Sequence, residues 1–288
     1  MLVSSPIDGF RLAYTREGSG APVMLLHGWP GDHRDWRQVA ELLGDSVEVV
    51  APDLRGFGES DKHPVEPARA YSLGAQTASV MALIEELGLR RPVIAGYDVG
   101  SRVAQAVARA APEQVGALVV APPLPGVGDR VLSVQSQREF WYQAFHQLPL
   151  AEQIIDGNAS AVRAYLRHFW SHWSGPSFNQ EEGELERLTS LYAPPGAFLA
   201  SIGWYRAGAG TVATSLAERA PAPDQRIPVP TTVLWPEHDP LFPPEWGDRL
   251  EQFFSDVSLR ALAGVGHFSP LEAAPEFASA ISDALASR

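Results

Sequence analysis

The sequence predicts an α/β fold: a mostly parallel sheet with helices on both faces, interrupted by an all-helical insertion. Three observations carry that expectation. Short apolar runs of strand character alternate with segments of helical spacing at both ends of the chain, as a parallel sheet with crossover helices requires. The alternation stops between about residues 125 and 226, where the chain becomes aromatic-rich and helical in pattern. One compact stretch, Pro92-Val93-Ile94-Ala95-Gly96-Tyr97-Asp98-Val99-Gly100-Ser101-Arg102, reads as strand, sharp turn and helix with a single acidic residue, Asp98, at its apex. Glycines two before and two after the apex let the backbone bend tightly while the apical side chain points outward.

In chain order, residues 10–15 read as an edge strand, followed by the turn Arg16-Glu17-Gly18-Ser19-Gly20. Residues 23–26 form a buried-strand run that ends in His27-Gly28-Trp29-Pro30-Gly31, a loop of glycine and proline chemistry. Trp36 and the apolar positions to Leu43 mark a helix, and residues 47–51 a strand running into Asp53-Leu54-Arg55-Gly56-Phe57-Gly58-Glu59-Ser60. Asp53 and Arg55 suit pinning that turn better than chemistry. Val80, Leu83, Ile84 and Leu87 give residues 72–87 helical spacing, with Gly88 as the stop. The elbow follows, then a strand at 115–120. The proline-rich Pro122-Pro123-Leu124-Pro125-Gly126 opens the aromatic block, and Pro221, Pro223, Pro228 and Pro230 close it. Proline clusters at both ends of a distinct block mark an inserted helical cap, so residues 125–226 are expected to be a cap (lid) and residues 1–124 with 227–288 the core. Beyond it come a strand at 231–235 ending in Pro236-Glu237-His238-Asp239-Pro240, a helix including 250–254, a strand at 257–262, the loop Gly264-Val265-Gly266-His267-Phe268, and a last helix at 275–285.

Composition narrows the function. With 288 residues, 45% hydrophobic and 19% charged, the chain is an ordinary globular protein with room for a core and an insertion. It has no cysteine, hence no disulfide framework and no thiolate nucleophile. A net charge of -12 argues against a nucleic-acid partner, because phosphate binding needs a basic face. The first residues show no basic region followed by an apolar core, and no apolar run approaches the roughly 20 residues that span a bilayer. A cytoplasmic protein without a membrane partner is expected, with monomer and homodimer both open.

In a parallel sheet, loops at the carboxyl ends of the strands share one edge. Asp98, Asp239, His267 and the His27-Gly28-Trp29 loop all follow predicted strands and can converge there. Taken alone, Asp98 could cap the following helix and His267 could be a surface-loop histidine. In the order acidic apex, second acid, histidine, they form a candidate catalytic set. The pieces His27-Gly28-Trp29-Pro30, the stretch from Asp53 to Ser60, the Asp98 elbow, Asp239-Pro240 and Gly266-His267-Phe268 jointly resemble the α/β-hydrolase fold, and within it the epoxide hydrolases with an aspartate nucleophile. Tyr142-Gln143 with Phe145, Gln147, Pro149 and Ala151-Glu152 looks like the segment carrying that family's first ring-opening tyrosine. Gly203-Trp204-Tyr205-Arg206 looks like the segment carrying the second. Both tyrosines could instead be aromatic packing within the cap, with Tyr192 and Tyr165 in reserve for the role.

The resemblance implies Asp98 as nucleophile, His267 as general base, Asp239 as the acid orienting it, and Tyr142 and Tyr205 as donors to the epoxide oxygen. Backbone N–H groups of Trp29 and Val99 would form the oxyanion hole, and Trp141, Phe145 and Trp204 would line an apolar pocket. The chemistry fits: a carboxylate is ionised at neutral pH and displaces well at saturated carbon, giving an alkyl ester that His267-activated water then cleaves to a vicinal diol. The expected partners are a small apolar epoxide and water, with no cofactor and no metal. Dehalogenases of the same fold use an aspartate in the same way and are the rival. Val99 replaces the residue that either dehalogenase branch usually has after the nucleophile, and it departs from the epoxide-hydrolase pattern as well. Arg102 resembles a carboxylate-binding arginine of the haloacetate branch. Esterase action is disfavoured because Ser101 is not at the apex, and a non-catalytic ligand-binding protein would have lost His267 or Asp239.

Overall fold

The computed structural model describes residues 1–178 and 182–287. Its strands are β1 (Leu2–Val3), β2 (Ala13–Glu17), β3 (Ala21–Leu26), β4 (Val47–Pro52), β5 (Val93–Gly96), β6 (Ala117–Val120), β7 (Thr231–Pro236) and β8 (Val257–Leu262). They form one sheet in the order β1-β2-β4-β3-β5-β6-β7-β8. The β1–β2 and β2–β4 pairs are antiparallel and all the others parallel. Central strands read as unbroken apolar runs because both of their faces are covered. Val23 to Leu26, Val93 to Ala95 and Leu118 to Val120 are fully buried.

The helices before β6 are α1 (Arg37–Leu43), α2 (Pro67–Ala70), α3 (Leu73–Glu86) and α4 (Val99–Ala110). Ser72 caps α3 by accepting from the Ala75 N–H, and Gly88 takes a φ of 66° just beyond the helix, so both predicted boundaries hold. Between β6 and β7 every regular element among the described residues is helical. These elements are α5 (Val134–Glu139), α6 (Trp141–His146), α7 (Pro149–Ile155), α8 (Ala159–Trp173), α9 (Glu182–Tyr192), α10 (Ala197–Trp204) and α11 (Thr211–Ala217), with short 3-10 turns and one π turn, Tyr205–Ala209. The chain ends in α12 (Ser269–Glu272) and α13 (Ala274–Ala286). Helices α4 and α13 both pack on β5 and β6, with α3 beside α4 and α1 beside α13.

Helix α8 does most to position the site. Val162, Leu166, Phe169, Trp170 and Trp173 recur at helical spacing and are all buried, one apolar stripe facing inward. Asn158 caps its start by accepting from the Ala161 N–H at 3.2 Å. The stripe ends at Trp173, which lies against the histidine loop.

Two sequence expectations are corrected. The strand predicted at 10–15 begins only at Ala13 and is not an edge, because β1 pairs outside it. Phe10 instead bridges to Ile7 and packs on Tyr71, with the Arg55 guanidinium over its ring. The helix expected to include 250–254 is a 3-10 segment, Pro244–Gln252, that stops short. Phe253 and Phe254 lie past its end as buried core, and Phe254 bridges to Ile227.

Candidate active site

Strand β5 delivers Asp98 at the carboxyl edge of the sheet in a backbone conformation L-residues seldom adopt, φ 49° and ψ −120°. The flanking glycines are required by contact. A Cβ on Gly96 would lie 2.5 Å from the Gly100 carbonyl oxygen, and one on Gly100 would lie 2.0 Å from that of Leu26. The turn is therefore locked to the end of β3, and the loop after β3 reaches the apex. There the Trp29 N–H donates to Asp98 Oδ1 at 2.7 Å. Val99 opens α4, so its N–H is one of the leading amides that a helix leaves without an internal partner.

The other oxygen, Asp98 Oδ2, lies 3.4 Å from His267 Nε2. His267 Nδ1 is 2.8 Å from Asp239 Oδ2, and Asp239 Oδ1 accepts from the Leu241 N–H at 2.8 Å. All three side chains are buried. Burial alone would push the imidazole's pKa down; the Asp239 and Asp98 carboxylates reverse that and hold it at about 10. The two ring nitrogens thus each face one of these side chains, Nδ1 that of Asp239 and Nε2 that of Asp98.

The loop carrying His267 is clamped to the helical insertion. Its backbone N–H donates to the Trp173 carbonyl at 2.7 Å, and the Trp173 ring lies 5.0 Å from the imidazole. Trp170 stacks on Phe268 at 4.1 Å with an interplanar angle of 4°. Glu272 Oε2 accepts the N–H groups of both Gly175 (2.8 Å) and Gly266 (2.7 Å), one from each side of the junction.

Tyr142 and Tyr205 converge above the apex. Their rings are 5.5 Å apart at 88°, the Tyr142 hydroxyl accepts from Gln143 Nε2 at 3.2 Å, and Tyr142 stacks on Trp29 at 5.8 Å. Burial pushes both phenols above their ordinary pKa, and the Asp98 charge adds to this in each. The reserve tyrosines are engaged elsewhere. Tyr192 bonds both the carbonyl and the N–H of Gly31, and the Tyr165 hydroxyl pairs with His146.

The predicted pocket residues fare differently. Trp141 is 42% exposed, stacked on Phe169 along the outside of α6, because the next residue, Tyr142, takes the inward face. Phe145 is partly buried against Tyr165. Trp204 is buried in α10 but makes no ring contact among the described residues. The rings that do surround the triad and tyrosines include Trp29, Phe169, Trp173 and Phe242, of which only Trp29 was singled out by the sequence, and that for its N–H.

His27, Asp53 and Arg55 hold turns. His27 Nε2 accepts the Leu54 N–H at 3.0 Å, Asp53 accepts from the N–H groups of His33 and Glu59, and Arg55 donates to Ser79 and to the Ala70 and Ile7 carbonyls. Asp32, His33 and Asp53 also lie close enough to share an ion. Arg187 already pairs with Asp32, and His33 with Asp53.

A buried carboxylate at a strained strand–helix turn thus lies beside a histidine–carboxylate pair at the carboxyl edge of a parallel sheet. The model of the alpha/beta hydrolase fold family matches residues 21–274, and the chain belongs to that family. It is 29% identical over 284 residues to a soluble epoxide hydrolase of Corynebacterium sp. (strain C12), covering 94% of this chain and 92% of the relative. It is 32% identical over 203 residues to a fluoroacetate dehalogenase of Burkholderia sp, covering 68% of this chain and 64% of that one. The crystal structure of Bacillus megaterium epoxide hydrolase superposes with a TM-score of 0.83 at 21% identity, covering 99% and 100% of the two chains, a likeness of fold. No helix among the described residues is long and apolar enough to cross a membrane.

Proposed function

We propose that the protein is an epoxide hydrolase that forms an alkyl ester on Asp98 and hydrolyses it to a vicinal diol. The observation that carries this reading is the pairing of an apical carboxylate with two buried phenols whose rings meet edge to face at 5.5 Å. A carboxylate suits displacement at saturated carbon, and an epoxide oxygen needs a proton as its C–O bond breaks. Similarity to the Corynebacterium enzyme supports the same choice. Residues 125–226 act in this reading as a cap that supplies both tyrosines.

In the first step the Asp98 Oδ2 lone pair bonds to an epoxide carbon, that carbon's C–O bond breaks, and the ring oxygen takes a proton from Tyr142 or Tyr205. The oxygen held by Trp29, Oδ1, becomes the ester carbonyl. Forming the ester consumes one of the two carboxylate charges that hold the proton on His267. The imidazole can then give up that proton, which restores the phenol, and become a base. It takes a proton from water, the hydroxide adds to the ester carbonyl carbon, and the N–H groups of Trp29 and Val99 stabilise the oxyanion. Collapse breaks the bond between the acyl carbon and the alkyl oxygen, the departing alkoxide takes its proton from the imidazolium, and the new carboxyl gives its own proton back to the imidazole, leaving the diol, the Asp98 carboxylate and protonated His267.

The second reading, removal of halide from a haloacid, draws on the similarity to the dehalogenase and on Arg102. Arg102 is buried one turn past Asp98, and its Nε has no partner. It lines a cavity with Gln105, Arg109 and Glu218 on the outer side of α4. The test is turnover of styrene oxide and of chloroacetate by the wild-type protein and Asp98→Asn. Diol formation that vanishes in the variant supports the first reading. Chloride release without diol establishes the second.

A further inference from the structure

His146 has no part in the chemistry above, yet it sits among the groups that do. It is fully buried on α6, one turn past Tyr142. Its ring lies 4.8 Å from Tyr205, 5.1 Å from Trp29 and 5.6 Å from Tyr142, with Phe198 at 5.9 Å. Its Nε2 is 2.9 Å from the Tyr165 hydroxyl, while its Nδ1 has no hydrogen-bond partner. The hydroxyl of Tyr165 makes no other bond among the described residues. If Nε2 donated to it, both the phenol proton and the Nδ1 lone pair would be orphaned. If the phenol donates, the one unmet group on the imidazole is Nδ1–H. Burial holds the imidazole neutral by pushing its pKa well down, with the nearby Arg206 charge adding to this. An orphaned buried donor is costly and calls for an occupant.

We propose that His146, packed against Trp29, Tyr142 and Tyr205, is a polar specificity determinant of the reaction: its Nδ1–H donates to an acceptor oxygen carried by the substrate beside the epoxide ring. The favoured substrates are then epoxides bearing an ether or carbonyl oxygen, rather than pure hydrocarbon epoxides. This rests on the epoxide-hydrolase reading and adds a substrate class to it. A neutral imidazole suits a neutral acceptor. Of the neighbouring rings, the Trp29 indole N–H is already given to Ser201, and the Tyr142 and Tyr205 hydroxyls are committed in this reading to the epoxide oxygen.

The test uses a matched pair, phenyl glycidyl ether and (2-phenylethyl)oxirane, which differ by one oxygen in place of one methylene. In the wild type kcat/KM should favour the ether by about threefold to tenfold, the worth of one net hydrogen bond. His146→Phe should abolish that preference. Equal preference ratios in the two proteins overturn the proposal. A second measurement needs neither turnover nor the variant: binding of the two corresponding diols to the wild type by calorimetry. Tighter binding of the ether diol supports the proposal, and equal affinities overturn it. If neither epoxide is opened, the epoxide-hydrolase reading fails, and the diol comparison still judges His146 separately.

Discussion

Glu272 is the residue whose removal should reveal how the histidine loop is held. Its Oε2 accepts two N–H groups, from Gly175 at 2.8 Å and Gly266 at 2.7 Å, and both glycines are buried. Truncation to alanine strands both donors, each at a cost of about 1–3 kcal/mol. Burial raises the Glu272 pKa, so removing the carboxylate also relieves some desolvation, and a net loss of about 2–4 kcal/mol follows. For a chain of this size roughly 1 kcal/mol moves Tm by about 2–4 °C, so Glu272→Ala should melt about 10 °C lower. Glu272→Gln keeps an acceptor oxygen in place and should lose about 1 kcal/mol. Because Gly266 precedes His267, the alanine variant should slow ester hydrolysis more than ester formation, and the covalent intermediate should build up in rapid-quench experiments. Thermal melts and single-turnover kinetics read both effects. A Glu272→Ala protein that melts within 2 °C of wild type and shows unchanged kinetics would refute the clamp.

Other consequences are as direct. Removing one phenol in Tyr205→Phe or Tyr142→Phe should slow ester formation by about 10²-fold or more, with the double variant lower still, measured by loss of epoxide in single turnover. His267 has a folded-state pKa raised to about 10 against an ordinary 6.5, so it stabilises the fold fully below pH 6.5 and loses that contribution as pH rises towards 10. Urea midpoints should fall across that window, and Asp98→Asn, which removes one source of the rise, should flatten the slope. Trp141→Ala should change kcat/KM less than about twofold, because the ring lies outside the triad's enclosure, whereas Trp173→Ala should cost about 3–5 kcal/mol of stability through loss of a buried ring.

The sheet and the meeting of Asp98, Asp239 and His267 at its edge were legible because each rests on local signals. Apolar runs mark the strands, glycine and proline mark the loops after them, and strand direction brings those loops to one edge. Asp98, Asp239 and His267 converge for that reason alone. Sequence reasoning failed where contact is set by the packing of distant segments. Nothing near Gly175 announces that it meets Gly266 through Glu272, although a carboxylate five residues past a loop histidine could have been questioned. His146 lies within the segment from Tyr142 to Glu152, but no residue next to it in sequence marks its contact with Tyr165 nineteen positions on. Trp141 was expected in the pocket because it adjoins Tyr142, yet adjacent helical residues point about 100° apart, and only one of them can face inward. Strand β1, two residues long, is too short to show any periodicity.

The central claim is a covalent ester on Asp98 formed by ring opening. The direct measurement is the intact mass of His267→Gln after mixing with styrene oxide and, separately, with chloroacetate. Without the base, the ester cannot be hydrolysed efficiently and should accumulate. A gain equal to the whole epoxide is expected, lost when Asp98 is also changed to Asn. No adduct from the epoxide, together with a chloroacetate adduct lacking chloride, would contradict it.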